Sequence, residues 1–308
     1  MKFRTRSGDK DPLLCSYPIN DREKTMEFAN ILFPSEECER AANVGRPTAI
    51  NPSGIRQKDL NSLADRTMLN GQVIDVFRKA CYVANQHGEA SNWEIYPTDF
   101  YRLLKSHEGT NQEFKKWKTL SSPFTRKFIC IPLCAGVHWR LLVLINPSEI
   151  LNETINAPMC CILALDSSSS TVQKAENKSG LLRDWLNAEW NRSLPDQKKD
   201  PFTARSFPSF APSVPQQGND ANNDCGIHTM LAIRGMLKLR DQPLLKSSSD
   251  WFTKDLRKLS GFSHKANEAR AFRREFREFI HQLKRESITS KRKAGSISDG
   301  AGDIEIIS

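Results

Sequence analysis

Cys225 is the residue whose position most clearly suggests chemistry. A polar, turn-rich segment ends at Asp224-Cys225-Gly226, and an apolar pattern with near-helical spacing begins directly after it. The thiol is therefore expected in the first turn of a buried helix, where unpaired backbone N–H groups and the helix dipole favour the thiolate. Because the thiolate is the reactive form, Cys225 is a candidate nucleophile. For this residue taken alone, an ordinary packed cysteine is the alternative.

Two further polar residues stand at the boundaries of apolar, β-rich runs. His138 precedes the run that begins with Trp139, and Asp166 follows Leu165 at the end of the next run. If these runs are antiparallel neighbours in a sheet, the start of one strand lies beside the end of the next. His138 would then reach Asp166 with a hydrogen bond, which is the arrangement of base and orienting carboxylate in a cysteine hydrolase.

The loop before Cys225 contains a candidate for oxyanion stabilisation. Gln217 can direct its amide N–H groups at a developing oxyanion, with the main-chain N–H of Cys225 as the second donor. The adjacent Gln216 is the alternative, and the sequence does not choose between them. Each candidate also has an ordinary structural explanation, so the inference depends on all four residues occurring in this order.

The elements that position these residues are indicated by hydrophobic spacing. Apolar residues from Val73 to Ala84 predict a helix with one buried face, with Asn70 as its N-cap and Gly88 as its end. Thr98 is expected to cap a second helix. Three central strands are predicted over residues 127–133, 139–145 and 159–165, with one short strand near Phe207. Further helices are predicted around 181–186, from Cys225, around 250–259 and over 265–285.

Composition narrows the class of protein. The 308 residues, 38% of them hydrophobic, allow one large domain or two smaller ones. No run of 18 apolar residues and no signal-peptide core occur, so we expect a soluble protein made in the cytosol, without a transmembrane span. The eight cysteines do not form a disulfide framework. Neither Cys130 with Cys134 nor the pair Cys160-Cys161 has the ligand spacing of a zinc site, so no metal or other cofactor is expected.

The net charge of +9 is concentrated near the C-terminus. Residues 254–293 contain 13 Lys and Arg against 5 Asp and Glu. This basic helical region could bind an acidic partner or nucleic acid, and a solvated helix face is the alternative. Its narrow apolar stripe is expected to dock onto the domain core, and a membrane-surface helix has a similar pattern. Residues 287–308 are expected to form a disordered tail, first basic and then acidic.

These motifs together resemble a known family. His138-Trp139, Leu165-Asp166-Ser167, and the segment from Val214 to Gln217 that leads into Asp224-Cys225-Gly226 look like the ubiquitin-like-protein-specific proteases. These clan CE cysteine peptidases process and remove SUMO. Residues 63–76 are similar to the substrate-side helix of the family, with Met68 where that helix has Trp and Gly71 where it has Asp. The loop from Gln217 to Cys225 is about two residues longer than in the family.

The resemblance implies a fold and a set of site residues. The fold would be α+β and papain-like, with a central, mostly antiparallel sheet flanked by helices and the nucleophile at a helix N-terminus. An N-terminal extension (1–56) and the tail (287–308) would flank a protease domain over 57–286. The implied catalytic residues are His138, Asp166, Gln217 and Cys225, and the implied substrate-binding residues are Trp139, Asn70, Gln216 and Asp224.

The resemblance also implies a function. The protein would be a cysteine protease that cleaves after the C-terminal Gly-Gly of SUMO or a related ubiquitin-like modifier. A deubiquitinase, an acetyltransferase using the same site and a catalytically degenerate SUMO-binding module are the alternatives. Ile304, Ile306 and Ile307, beside acidic residues, resemble a SUMO-interacting motif that can add a strand to a partner's sheet. The expected location is intracellular, nuclear or cytoplasmic, with Lys291-Arg292-Lys293 as a weak nuclear signal. A secreted pathogen effector would look similar.

Overall fold

A five-stranded sheet forms the centre of the described part of the chain. The computed structural model describes residues 55–84, 92–106, 122–152, 154, 157–168, 172–197, 199–217, 223–239, 255–259, 262 and 266–298, with the backbone alone for 83–84, 172–177, 266 and 286–298. The strands are β1 (Trp93–Ile95), β2 (Phe128–Ala135), β3 (His138–Ile145), β4 (Cys161–Leu165) and β5 (Ser209–Phe210).

The strands lie in sequence order across the sheet. β2 pairs antiparallel with β3, and β3 pairs antiparallel with β4, whereas β1 and β5 join the two edges in parallel. The predicted antiparallel core of three strands is therefore confirmed, and the sheet as a whole is mixed. The predicted strands match β2, β3 and β4 with small differences at their ends, and the short strand expected near Phe207 is β5.

Helices cover both faces of this sheet. Within the described residues, the α-helices are α1 (Gln57–Asn61), α2 (Gly71–Ala84), α3 (Phe100–Ser106), α4 (Val172–Ser193), α5 (Cys225–Leu239) and α6 (Ala266–Ser298). Side chains of α2, α5 and α6 share one apolar core with one face of the sheet, and side chains of α3 and α4 share a second core with the other face. Since both faces are buried, the strands read as continuous apolar runs in the sequence.

The start of α2 follows the prediction, but that of α3 does not. Asn70 Oδ1 accepts a hydrogen bond from the Val73 main-chain N–H at 3.1 Å, so Asn70 caps α2. The Thr98 hydroxyl instead donates to the Asp75 carboxylate at 2.8 Å. Thr98 therefore ties α3 to α2 rather than capping α3. The predicted end at Gly88 lies outside the described residues.

The C-terminal helix is longer than the sequence predicts. Its apolar stripe, which includes Phe272, Phe276 and Ile280, is buried in the first core, and this confirms that α6 docks onto the domain. The helix continues to Ser298, which corrects the expectation of a disordered segment from residue 287. Extending an existing helix is far easier than nucleating one, and residues 287–298 contain no proline. Of the helix expected around 250–259, the described residues contain a short 3₁₀ turn, Leu256–Lys258.

Neither a membrane-spanning helix nor a metal site is found in the parts of the chain listed above. No described helix is both long enough and apolar enough to cross a bilayer. Among the same residues, no group of three His, Cys, Asp or Glu side chains is placed to hold a metal ion.

Candidate active site

The sheet register brings His138 and Asp166 together at one end of the sheet. Leu141 of β3 pairs with Leu165 of β4, so the next position places Arg140 opposite Asp166. His138, two residues earlier on β3, lies on the same side of the strand as Arg140. His138 Nε2 and Asp166 Oδ1 are 2.7 Å apart. The contact expected from antiparallel pairing of these strands is confirmed.

Asp166 is held as a buried carboxylate by three residues. Besides His138, Arg140 Nε donates to Oδ2, and the main-chain N–H and hydroxyl of Ser168 both donate to Oδ1 at 2.9 Å. Burial by itself disfavours the charged form. The hydrogen bonds from His138 and Ser168 and the charge of Arg140 outweigh burial and hold the pKa of Asp166 well below its ordinary value. Asp166 therefore carries a negative charge throughout the neutral pH range.

Cys225 is the first residue of α5, in the first turn as the sequence predicts. The residue is buried, with 4% of its surface exposed. Burial alone would raise the pKa of the thiol. A hydrogen bond with the His138 side chain, together with main-chain N–H groups of Trp139 and Gly226, outweighs burial and lowers the pKa of Cys225 below its ordinary value. The surroundings of the sulfur therefore stabilise a thiolate.

His138 lies between the carboxylate and the thiol. Its hydrogen bonds to Asp166 and Cys225 raise its pKa from 6.5 to about 9. Since Nε2 faces Asp166, Nδ1 is the ring nitrogen left for the sulfur. A raised pKa on the ring and a lowered pKa on the thiol both favour transfer of the thiol proton to His138. The arrangement can therefore hold a thiolate–imidazolium pair at neutral pH.

The structure distinguishes the two glutamines. Nε2 of Gln216 donates to the Val214 main-chain oxygen at 2.9 Å and to that of Asp166 at 3.3 Å, so its amide N–H groups are bound to backbone. The Gln217 main-chain N–H donates to the Ser167 oxygen at 2.9 Å. This bond ties the loop that leads toward Cys225 to the turn that carries Asp166. These bonds occupy the Nε2 donors of Gln216, and the predicted substrate contact of this residue stays a prediction.

The other three residues predicted to bind substrate have structural partners. Trp139 is buried, and its indole N–H donates to the Leu69 main-chain oxygen at 2.7 Å. Asn70 caps α2 and donates to Asp59 Oδ1 at 2.7 Å. Asp224 is buried and paired with Arg273, 2.8 Å away, and its substrate contact stays a prediction. Substrate contacts of Trp139 and Asn70 stay predictions.

Sequence reasoning missed three residues that support the site: Arg140, Ser168 and Arg273. Arg140 had a detectable signal, because residues two apart on a strand share a side, and His138 was already a candidate. Arg273 also had one: it falls in the buried stripe of α6, four residues after Ala269 and three before Phe276. Ser168 had no such signal in the run of serines after Asp166. The predicted residues Ile304, Ile306 and Ile307 lie outside the described residues.

The domain is α+β, with a cysteine at the N-terminus of a helix and a histidine and an aspartate at one end of the sheet. This is the architecture of the cysteine proteases. Residues 67–260 match the Ulp1 protease family, C-terminal catalytic domain. The chain therefore belongs to the Ulp1 protease family.

Individual relatives are more distant. The chain is 28% identical over 200 residues to the probable ubiquitin-like-specific protease 2A of Arabidopsis thaliana. The aligned region covers 59% of this chain and 24% of the relative. The chain is 24% identical over 242 residues to the probable ubiquitin-like-specific protease 2B of the same plant, covering 71% and 24%. The chain thus spans about a quarter of the length of these relatives. A crystal structure of a de-sumoylating protease superposes with a TM-score of 0.61 at 22% identity, covering 78% of this chain and 90% of that one, and shows the shared fold.

Proposed function

We propose that the protein is a cysteine protease that cleaves the bond after the C-terminal Gly-Gly of SUMO or a related ubiquitin-like modifier. The observation that carries this proposal is the continuous hydrogen-bonded series from Cys225 through His138 to Asp166. In this proposal the fold is papain-like, and Cys225 at the start of α5 is its nucleophile. The names of the relatives, ubiquitin-like-specific proteases, support the choice of modifier.

The geometry supports a two-step reaction by covalent catalysis. The Cys225 thiolate attacks the carbonyl carbon of the modifier's last glycine, and the electron pair of the C=O bond moves onto oxygen. When the tetrahedral intermediate collapses, the C–N bond breaks and the His138 imidazolium gives its proton to the leaving amine. The modifier then remains on Cys225 as a thioester. Neutral His138 next takes a proton from water, whose oxygen attacks the thioester and releases the carboxylate and Cys225.

The oxyanion formed in each step needs hydrogen-bond donors. The main-chain N–H of Cys225, at the first position of α5, is one donor that a helix leaves unpaired. We assign the second to the Gln217 amide, since the amide of Gln216 is bound to backbone oxygens. Loss of such a donor costs roughly 10²–10³ in rate.

The limits of the catalytic domain and its location also belong to the proposal. We propose residues 57–286 as the domain, with 1–56 and 287–308 as flanking segments, because the matched range and the buried face of α6 both fall inside it. A nuclear or cytoplasmic site of action agrees with SUMO as substrate and with the basic run Lys291-Arg292-Lys293. SUMO binding by Ile304, Ile306 and Ile307 in the tail is part of the same proposal.

Covalent trapping tests the proposal directly. The full chain is incubated with SUMO and, separately, with ubiquitin, each carrying a thiol-reactive group at its C-terminus, and adducts are measured by intact mass. We expect one SUMO adduct, which Cys225→Ala abolishes. Cys134→Ala is the matched control, because Cys134 is a free and exposed cysteine on the neighbouring strand β2.

The other outcomes separate the alternatives. An adduct that persists in Cys225→Ala would refute the assignment of the nucleophile. A Cys225-dependent adduct with ubiquitin alone would refute SUMO as the modifier and indicate a deubiquitinase. No adduct with either protein would refute cleavage of SUMO and of ubiquitin, and an acetyl-transfer assay would then separate an acetyltransferase from a binding module.

A further inference from the structure

Arg273 of α6 is a buried arginine that bonds to the segment directly before Cys225. Its side chain is 1% exposed. Nε donates to Asp224 Oδ1 at 3.0 Å, and Nη2 donates to the main-chain oxygen of Asn223 at 3.0 Å. Both residues immediately precede Cys225 in the chain. Arg273 of α6 therefore holds both the side chain and the backbone of the two residues that lead into the candidate nucleophile.

The remaining nitrogen of Arg273 binds a different part of the chain. Nη1 donates to the main-chain oxygens of Ser62, Ala64 and Thr67 at 3.2, 3.1 and 3.0 Å. These oxygens belong to the turn between α1 and α2. All three guanidinium nitrogens are thus used, and the rigid planar fork of arginine matches acceptors that a single lysine ammonium cannot reach together.

The backbone at this junction adopts a conformation that needs support. Asn223 and Arg66 both have positive φ angles, 50° and 62°, which non-glycine residues rarely adopt. The Asn223 side chain donates to the Arg66 main-chain oxygen at 2.9 Å. Such conformations persist where the surrounding contacts determine them. Arg273 supplies those contacts, because it binds the oxygen of Asn223 and three oxygens of the turn that contains Arg66.

We propose that Arg273 is a positioning residue for Cys225: it fixes the Asn223–Asp224 backbone so that the sulfur stays beside His138 and the N–H groups of Trp139 and Gly226. The inference rests on the proposed function, in which Cys225 is the nucleophile. Arg273 lies outside the range 67–260 that matches the family domain. Misplacement of a reacting group by about 1 Å can cost on the order of 100-fold in rate, so this support is worth measuring in the reaction itself.

The test must separate positioning from stability, because loss of a buried arginine also weakens the fold. Arg273→Lys keeps the charge and removes the fork. Arg274→Lys is the matched control, since Arg274 is the next residue of α6 and is exposed. Cys225 alkylation by iodoacetamide is followed against pH by peptide mass spectrometry, with a melting curve for each variant. Proteolysis of a fluorogenic SUMO substrate gives kcat and KM.

Among the described residues, His138 from β3 and Cys134 from β2 are titratable groups that interact with the sulfur, and Asp224 precedes Cys225 in its own segment. If Arg273→Lys lets the sulfur move away from its hydrogen-bond donors, the pH at the midpoint of Cys225 alkylation should rise toward that of an ordinary thiol. We expect about 10-fold slower alkylation at neutral pH and a kcat about 10- to 100-fold lower, with KM within twofold. Arg274→Lys should match the wild type. A lower melting temperature with an unchanged midpoint and kcat would overturn the proposal.

A second variant keeps the test decisive if Arg273→Lys does not fold. Asp224→Asn retains the acceptor oxygen and removes the charge, so it weakens the same contact with little change of shape. In Asp224→Asn, a smaller rise of the alkylation midpoint and a smaller fall of kcat would support the proposal. If Asp224→Asn folds and keeps the wild-type midpoint and kcat, the proposal is overturned. Alkylation needs no protein substrate, so it reports on Cys225 independently of proteolysis. If the wild type cleaves neither SUMO nor ubiquitin but Arg273→Lys still shifts the pH midpoint of alkylation, SUMO is refuted as the substrate and the positioning role stands.

Discussion

Replacing Asp166 with asparagine should lower the activity by lowering the pKa of His138. The carboxylate lies 2.7 Å from Nε2 and is the main cause of the rise in the His138 pKa from 6.5 to about 9. Asparagine keeps the shape but offers no charge, and it removes the anion that Arg140 also pairs with. After allowance for solvent screening, a return of the pKa most of the way to 6.5 reduces the imidazolium's stability by about 100-fold. We therefore expect kcat/KM at pH 7.5 to fall by about 10²–10³, the added factor coming from loss of ring orientation.

The pH profile makes this prediction sharper than the rate alone. The active ion pair exists above the pKa of the thiol and below the pKa of His138, so activity should be lost as pH rises through about 9. In Asp166→Asn the alkaline limb should move toward the ordinary histidine value. The profile is measured with a fluorogenic SUMO substrate, with Asp196→Asn as the control because Asp196 is an exposed aspartate. An unmoved alkaline limb, or more than half of the wild-type kcat/KM, would show that Asp166 does not set the protonation of His138.

Three further predictions concern stability, each measured as the free energy of unfolding in urea. Gly226→Ala should destabilise the fold by about 1–3 kcal/mol, because the new methyl group would lie 2.8 Å from Leu69 Cβ. Gly180→Ala should not destabilise it, because the space around Gly180 is open. Equal effects of the two substitutions would refute the packing argument. Trp139→Phe should cost about 1–3 kcal/mol by leaving the Leu69 oxygen unpaired; a change below 0.5 kcal/mol, on the order of a surface substitution, would mean that this hydrogen bond is replaced. Ending the chain at residue 260 should prevent folding, because each buried side chain on the apolar face of α6 contributes about 1.5–3 kcal/mol. A chain that ends at residue 286 should fold. Cooperative unfolding of the chain that ends at residue 260 would refute this role of α6.

The sequence was most informative where a local pattern had one physical explanation. The apolar runs of β2, β3 and β4 are buried on both faces, and the connection from β2 to β3 is too short for parallel pairing, so antiparallel pairing follows there. Once that pairing is assumed, the meeting of His138 with Asp166 follows from the ends of the strands. The place of Cys225 follows similarly from a loop that changes into a helical pattern.

Long-range contacts account for what could not be predicted. Whether Gln216 or Gln217 faces the site depends on which amide finds backbone oxygens, and those of Val214 and Asp166 are set by the fold. Asp224 looked like a site residue because it adjoins Cys225, yet its partner Arg273 comes from a helix about 50 residues later. No local pattern encodes such a pairing. A charged residue inside an apolar stripe, as at Arg273, still indicates that a buried partner must exist.

Asp166 contacts the Arg140 guanidinium as well as His138, and this second cation affects the proton affinity of His138. Transfer of the thiol proton to the His138 ring separates charge inside the site. The summed charge of the four side chains, Arg140, Asp166, His138 and Cys225, stays the same, so a partly buried site can accommodate the ion pair. Arg140 shares the carboxylate and keeps it ionised, while also competing with the imidazolium for its charge. A His138 pKa of about 9 is high enough to hold the thiolate at neutral pH. It is still below about 10.4, the ordinary value of a lysine amine, so transfer of the proton to a leaving lysine amine is favourable. In the reaction proposed above, the same pair of contacts would therefore allow His138 to form the thiolate and then release its proton to the leaving amine.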